Sequence, residues 1–275
     1  IRDLDAVRRA ARGVDAILHH AAVVSVPLSV EDPVGTNEVN VGGTLHVLVA
    51  AREERARRVV FASSTAVYGD SPKHPKSETD PFLPLSPYAA SKCVGEIYGA
   101  LFHRSHAVPF VALRYFNVFG PGQDEHSPYA AAIPLLTRAL LRGERPVIYG
   151  DGTQTRDFVF ISDVVAANLR ALDNEGAVGG VFNIARGVEC DLNALAAALS
   201  RIVGTASEPR YAPPRAGDIL RSLADTRRAR EILGFEARVP LEEGLRLTVE
   251  WYRENRMSPP TGEGGEDGNR QGGSR

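Results

Sequence analysis

The sequence predicts an α/β fold: a doubly wound parallel sheet with a smaller region interleaved toward the C-terminus. Three observations point there. The chain has 275 residues, 43% hydrophobic and 24% charged, enough for a large core. Over roughly the first 115 residues, short apolar runs alternate with longer stretches of helical period, the pattern of βαβ crossovers. Beyond Asn117 that rhythm becomes irregular, with glycine turns between helices.

The elements follow in order. Residues 5–12 have the period of a short helix, and Ala16-Ile-Leu-His19 is a short buried strand running into His20-Ala-Ala22. A helix is expected over 37–51, a strand over 58–62 and a Pro- and Ser-rich loop over 69–87. A helix over 89–104 then leads into a strand over 110–114. Later come Gly120-Pro-Gly122, a helix over 133–142, the turn Gly150-Asp-Gly152, and helices over 192–202 and 241–253. This divides the chain into 1–120, a sheet domain, and 121–257, mostly a second region interleaved with it. From Ser258 onward Pro, Gly, Glu and Asn dominate without period, so 258–275 is expected to be disordered.

A net charge of −2 gives no basic footprint for nucleic acid or an anionic membrane. No apolar run approaches the roughly 18 residues of a membrane helix. Cys93 and Cys190 are isolated thiols, expected as small buried residues in a reducing, cytoplasmic setting. The one methionine is Met257, so Ile1 is not expected to be the natural start, and the opening residues do not form a signal peptide.

Chemistry enters at Tyr88-Ala-Ala-Ser-Lys92. Residues four apart share one face of a helix, so phenol and ammonium point the same way. Of 32 Lys and Arg residues only Lys73, Lys76 and Lys92 are lysine, so lysine at this position is unusual for the chain. A cation beside a phenol favours phenolate. Moving a tyrosine pKa from about 10 to about 7 takes roughly 4 kcal/mol. Tyr88 would then act as a general acid or base near neutrality. Ser64, after a buried strand, is either a partner for that chemistry or a local Ser/Thr turn.

Four further stretches accompany this one: Ser63-Ser-Thr-Ala-Val-Tyr-Gly69, Leu113-Arg-Tyr-Phe-Asn-Val-Phe-Gly-Pro121, Gly150-Asp-Gly-Thr-Gln-Thr-Arg-Asp157 and Arg215-Ala-Gly-Asp218. Together, over residues 1 to about 253, they resemble the extended short-chain dehydrogenase/reductase family, in its NAD-dependent epimerase/dehydratase branch typified by UDP-hexose and UDP-N-acetylhexosamine 4-epimerases. The resemblance implies a Rossmann-like sheet, NAD as cofactor, a UDP-sugar substrate and a homodimer. It assigns catalysis to Ser64, Tyr88 and Lys92, with a cationic nicotinamide helping Lys92 lower the Tyr88 pKa. NAD contacts would be Ala21, Ala22, Asn40, Ser63, Tyr88, Lys92 and Phe116. Sugar-nucleotide contacts would be Ser64, Asn117, Tyr149, Arg156, Arg215, Asp218 and Ser222, with the two arginines clamping the pyrophosphate.

One departure is large. The family's Gly-rich strand-turn-helix, which holds the NAD pyrophosphate, has no counterpart in this sequence. The sheet is therefore expected to lack its first strands, bind NAD poorly and expose aggregation-prone edges. Family dehydratases and decarboxylases commonly carry acidic residues after the catalytic hydroxyl. Here Thr65-Ala66 follow, which argues against a decarboxylase or dehydratase and favours epimerisation; a related reductase and, given the missing Gly-rich turn, a non-catalytic nucleotide-sugar or dinucleotide sensor are the alternatives. Ser222 falls where related epimerases vary between a large aromatic and a small residue beside the sugar, so a 2-acetamido group should fit. Val24-Ser-Val-Pro27 and Leu28-Ser29 also look like the N-acetylhexosamine enzymes. The dimer would pair the helices over 89–104 and 37–51, using Val94, Ile97, Tyr98, Leu101 and Phe102. No metal is expected: His19-His20 and His103/His106 lack clustered further ligands.

Overall fold

The computed structural model describes residues 1–123, 131–214 and 219–256. Arg215, Asp218 and the tail over 258–275 fall outside the described residues.

Helix α1 (Leu4–Ala11), capped by the Asp3 carboxylate, leads to strand β1 (Ala16–His19). Ser25 and Asp32 cap two short helices, α2 (Val26–Glu31) and α3 (Pro33–Asn37), each opening with proline in its first turn. A π-helical turn at Glu38–Gly42 then joins α3 to α4 (Gly43–Glu53). The helix expected over 37–51 is therefore three pieces, with Asn40 inside the π turn, a local distortion common at functional sites. Strand β2 (Arg58–Ser64) runs two residues further than its apolar core suggested. Helix α5 (Pro87–His106) starts at a Ser86 cap and Pro87, and β3 (Phe110–Tyr115) follows.

The second half adds β4 (Asn117–Phe119), α6 (Ala132–Leu141), β5 (Val147–Tyr149), β6 (Thr155–Phe160) and α7 (Ile161–Asp173). It continues with β7 (Val181–Ile184), β8 (Glu189–Asp191), α8 (Leu192–Val203), β9 (Arg210–Ala212) and α9 (Leu241–Arg256).

The main sheet has order β1-β2-β3-β7, all parallel, with Ser64 opposite Tyr115 and Tyr115 opposite Ile184. Both faces of β2 and β3 are buried, as helical crossovers require, while on the edge strand β1 Leu18 is 44% exposed. Val59, Phe61, Phe110 and Ala112 face α4 and α5, while Val60, Val111, Leu113 and Phe182 face α7. Gly95 and Gly99, one turn apart on α5, sit against the rings of Phe61 and Phe110, where any Cβ would clash. That close approach fixes the depth at which α5 lies on β2. A separate core joins β4, α6, β6, α8 and α9 through Phe119, Leu136, Phe158, Leu195 and Leu245. Smaller pairings place β4 parallel to β6, β6 antiparallel to β8, and β5 parallel to β9.

Of the five apolar residues expected outward on α5, Ile97 (53%) and Leu101 (42%) are exposed, and Val94 and Tyr98 are intermediate. Phe102 is a correction: it is buried against Val47, Leu48 and Phe110, because its turn of the helix leans onto the sheet.

Candidate active site

Parallel α/β sheets bind ligands beyond the carboxyl ends of their strands. Here those ends carry His20 to Ala22 after β1, Ser63 and Ser64 at the end of β2, and Phe116 and Asn117 after β3. The first turn of α5 brings Tyr88 over the end of β2. The Tyr88 main-chain N–H donates to Ser29 Oγ at 3.1 Å, and its carbonyl accepts from Ser91 Oγ at 2.7 Å.

Ser64 makes contacts in both of the directions the sequence left open. Its Oγ accepts the Ala66 N–H at 3.1 Å, closing a local turn, and its hydroxyl also faces the Tyr88 phenol. Lys92 lies one turn further along α5, only 5% exposed, its Nζ 5.8 Å from the Tyr88 ring centroid and 5.0 Å from that of Phe61. Nζ donates to Ala62 O at 2.7 Å.

The electrostatics correct one expectation. In the ligand-free chain the Tyr88 pKa is raised: loss of water around the phenolate dominates, opposed by the Ser64 hydroxyl. Burial also brings Lys92 down to about 8, so its charge is itself strained. The spacing of Tyr88 and Lys92 gave their shared face correctly. It carried no information about how dry that face is.

Around this pair the buried groups hold geometry. Asn40 is fully engaged: Oδ1 accepts Val23 N at 2.8 Å, and Nδ2 donates to Val23 O and Ser91 Oγ, each at 2.9 Å. Its side chain thus clamps the segment after β1 to α5. Ser63 points away from the strand ends, its hydroxyl donating to Glu96, which leaves only its main chain toward a ligand. Phe116 is buried with Tyr68 and Cys93, and Ala21 is exposed beside the partly buried Ala22. His19 bonds Thr44 Oγ1 at 3.0 Å, and burial lowers its pKa to about 4, with Lys92 adding to the shift. His20 stacks on Tyr115, with Nε2 3.2 Å from the phenol oxygen.

A second group of expected residues lines a cleft of about 280 Å³: Asn117, Tyr149 and Arg156, with Gln123, Gln154 and Phe158. Asn117 Oδ1 and Gln123 Oε1 are buried there with no hydrogen-bond partner among the described residues. Such atoms carry a cost that a ligand's donors would remove. Arg156 Nη1 donates to Thr155 O at 2.8 Å and Ile219 O at 2.7 Å. Ser222 is buried next to Arg221, which bridges to Thr155 on β6, and is not among the described residues that line this cleft. Among the described residues no group of three or more His, Cys, Asp or Glu side chains is placed to share a metal ion.

The family model described as "NAD dependent epimerase/dehydratase family" matches residues 1–185. The chain belongs to that family. UDP-glucose 4-epimerase of Mycolicibacterium smegmatis is 43% identical over 240 residues, covering 87% of this chain and 76% of that protein. A solved UDP-N-acetylglucosamine 4-epimerase from Methanobrevibacter ruminantium, in complex with UDP-N-acetylmuramic acid, superposes with TM-score 0.88 at 41% identity, covering 90% and 79% of the two chains. The UDP-glucose 4-epimerase of Thermus thermophilus, solved with NAD, gives TM-score 0.85 at 36% identity, covering 92% and 83%.

The family's cofactor is NAD, and the residues present fit its nicotinamide end. Lys92 is a buried ammonium whose one hydrogen-bond acceptor among the described residues is Ala62 O, so its remaining hydrogens suit ribose hydroxyls. The sequence holds no Gly-rich strand-turn-helix for the pyrophosphate end. Sequence reasoning missed Glu96, Arg114 and Gln154. Glu96 had a usable signal, since it extends the Tyr88–Lys92 spacing by another four residues.

Proposed function

We propose that this chain is an NAD-dependent nucleotide-sugar 4-epimerase acting on UDP-glucose or UDP-N-acetylglucosamine. The observation that carries the reading is Ser64 facing Tyr88 above buried Lys92 at the carboxyl end of β2. Tyr88 takes the proton of the sugar C4 hydroxyl and later returns one. Ser64 holds that hydroxyl and relays its proton. Lys92, engaging the nicotinamide ribose, places positive charge beside the phenol and offsets the burial that disfavours phenolate. NAD, when bound, supplies the hydride chemistry: C4 is transiently oxidised to a 4-keto sugar and reduced again from the other face. Asn117, Tyr149 and Arg156 anchor the nucleotide end while the keto sugar turns over. Arg215, Asp218 and Ser222 complete the substrate contacts in this reading. Residues 1–120 mostly serve the cofactor and 121–257 mostly the substrate.

We also propose a homodimer through α4 and α5, for which exposed Ile97 and Leu101, one turn apart, supply an apolar stripe. A cytoplasmic location is part of the same reading. No helix among the described residues is long and apolar enough to cross a membrane.

The test supplies NAD and each UDP-sugar to the purified chain in deuterated water and analyses the product. Formation of the 4-epimer without solvent deuterium at C4 supports the reading. Loss of water or carbon dioxide from the sugar would favour a dehydratase or decarboxylase. Binding of the nucleotide sugar without turnover, at NAD concentrations where binding of NAD is itself detected, would favour a sensor.

A further inference from the structure

The face of α5 that carries Tyr88 and Lys92 continues to Glu96, a carboxylate with no part in proton transfer or ligand binding. It is 4% exposed, and its oxygens accept the Ser63 hydroxyl together with Arg114 Nε at 2.9 Å and Nη2 at 2.7 Å. Arg114 comes from β3 and is itself 3% exposed. Its guanidinium lies 4.8 Å from the Tyr68 ring and 5.2 Å from that of Phe82, and Nη1 donates to Glu78 O at 3.3 Å.

Ser63 and Tyr68 bracket the turn that presents Ser64. Ser64 caps the short 3-10 helix Thr65–Tyr68, and within it Val67 O accepts Leu83 N at 2.9 Å. One buried ion pair therefore touches both ends of this turn, and one of its members rides on the helix that presents Tyr88. Buried ion pairs contribute little to stability compared with well-packed apolar side chains of the same volume. What this pair supplies in addition is register between two elements.

We infer that Glu96 is a positioning residue for catalysis: with Arg114, and through Ser63, it sets the Ser64 hydroxyl against the Tyr88 phenol. The inference rests on the reading of Tyr88 as the proton-transfer group. The groups facing the pair are few. Ser64 from β2 and Lys92 from α5 face Tyr88, while His19 at the end of β1 and His20 just after it lie within the field of Lys92. Glu96 is faced by Arg114 and Ser63, and the neighbouring Cys93 thiol has its pKa raised mainly by burial, with Glu96 adding to the shift. Ser64 is the group that opposes the effect of burial on Tyr88, so a loosened tether pushes phenol ionisation to higher pH.

The decisive variant is Ser63→Ala in the full chain, which cuts the tether and leaves the Glu96–Arg114 pair in place. The expected loss in kcat is about ten- to a hundredfold, the scale of a small misplacement of reacting groups, with KM for the sugar nucleotide essentially unchanged. The rising limb of the kcat–pH profile should move to higher pH. Ionisation of Tyr88 in the ligand-free chain, read by tyrosinate absorbance against Tyr88→Phe, should move the same way. Ser63→Thr, which keeps the hydroxyl, should restore all three. Wild-type kcat and an unmoved profile in Ser63→Ala, with Tyr88→Phe inactive, overturn the inference alone. A kcat loss matched by lost thermal stability, with no shift in either titration, overturns it as well. Wild-type turnover in Tyr88→Phe removes the reading of the site and the inference together.

Discussion

The end of β2 and the cleft beside β6 are both lined by buried polar groups, yet they are finished to different degrees. Around Ser64 and Tyr88, Asn40, Ser63, Glu96 and Arg114 all have protein partners. In the cleft, Asn117 Oδ1 and Gln123 Oε1 are buried with none among the described residues. Catalysis needs reacting groups held before substrate arrives, and a full hydrogen-bond set holds them. Recognition gains from polar atoms whose cost is removed only when the right ligand supplies donors. The chain's own groups complete the first region, and the second keeps polar atoms that a ligand's donors would satisfy.

Three substitutions sharpen that contrast. The largest effect is expected at Ser222. If this buried serine lies beside the sugar, Ser222→Tyr should abolish activity on UDP-N-acetylglucosamine and spare UDP-glucose, because steric exclusion discriminates more than an added apolar contact worth about 1–3 kcal/mol. Competition assays with the two sugars read this directly. Equal loss on both would move Ser222 away from the acetamido group.

The next effect is on stability. The Lys92 pKa is lowered from 10.5 to about 8 because burial disfavours its charged form. Between those values the unfolded chain binds the proton and the folded chain does not, so stability should rise with pH from about 8 to about 10.5. The difference amounts to about 3 kcal/mol. Thermal unfolding across that range should show the rise in the ligand-free chain, and Lys92→Met should remove it. An unchanged pH dependence in Lys92→Met would mean that the ammonium is better solvated than its burial implies.

The smallest effect belongs to the cleft. Arg156→Ala should raise KM for the sugar nucleotide about tenfold by removing a charged contact, with kcat nearly constant. A selective fall in kcat would place Arg156 with the reacting groups instead and erase the division between the regions.

How much of this was legible in the sequence depended on whether the signal was local. Strand β1 has the limits its apolar run implied, and α5 and β3 extend only one or two residues beyond theirs. Helix α7 carries Val164, Ala167, Asn168 and Ala171 as a buried stripe at helical spacing, a readable pattern hidden by the irregular segments around it. Strands β4, β5, β8 and β9 are three residues each and exist through partners far away in the chain, so no local pattern marks them. At the site, spacing placed Tyr88 and Lys92 on one face but gave no measure of burial, and burial sets the direction of both pKa shifts. The alternation of β2 turns the Ser63 hydroxyl to Glu96 on α5, a contact that requires the sheet and helix to be assembled first, and leaves its main chain for the cofactor contact that the resemblance implies.

The central claim is that Tyr88 moves the proton in a pocket the chain has already built. The most direct measurement is turnover and sugar-nucleotide binding for Tyr88→Phe beside the wild-type chain, both supplied with NAD. Removing one hydroxyl from a half-buried ring should leave the affinity for the UDP-sugar nearly unchanged and lower kcat by about a hundredfold or more, the low end of general acid–base contributions. A Tyr88→Phe chain that keeps more than about half of the wild-type turnover, far outside that range, would contradict the account.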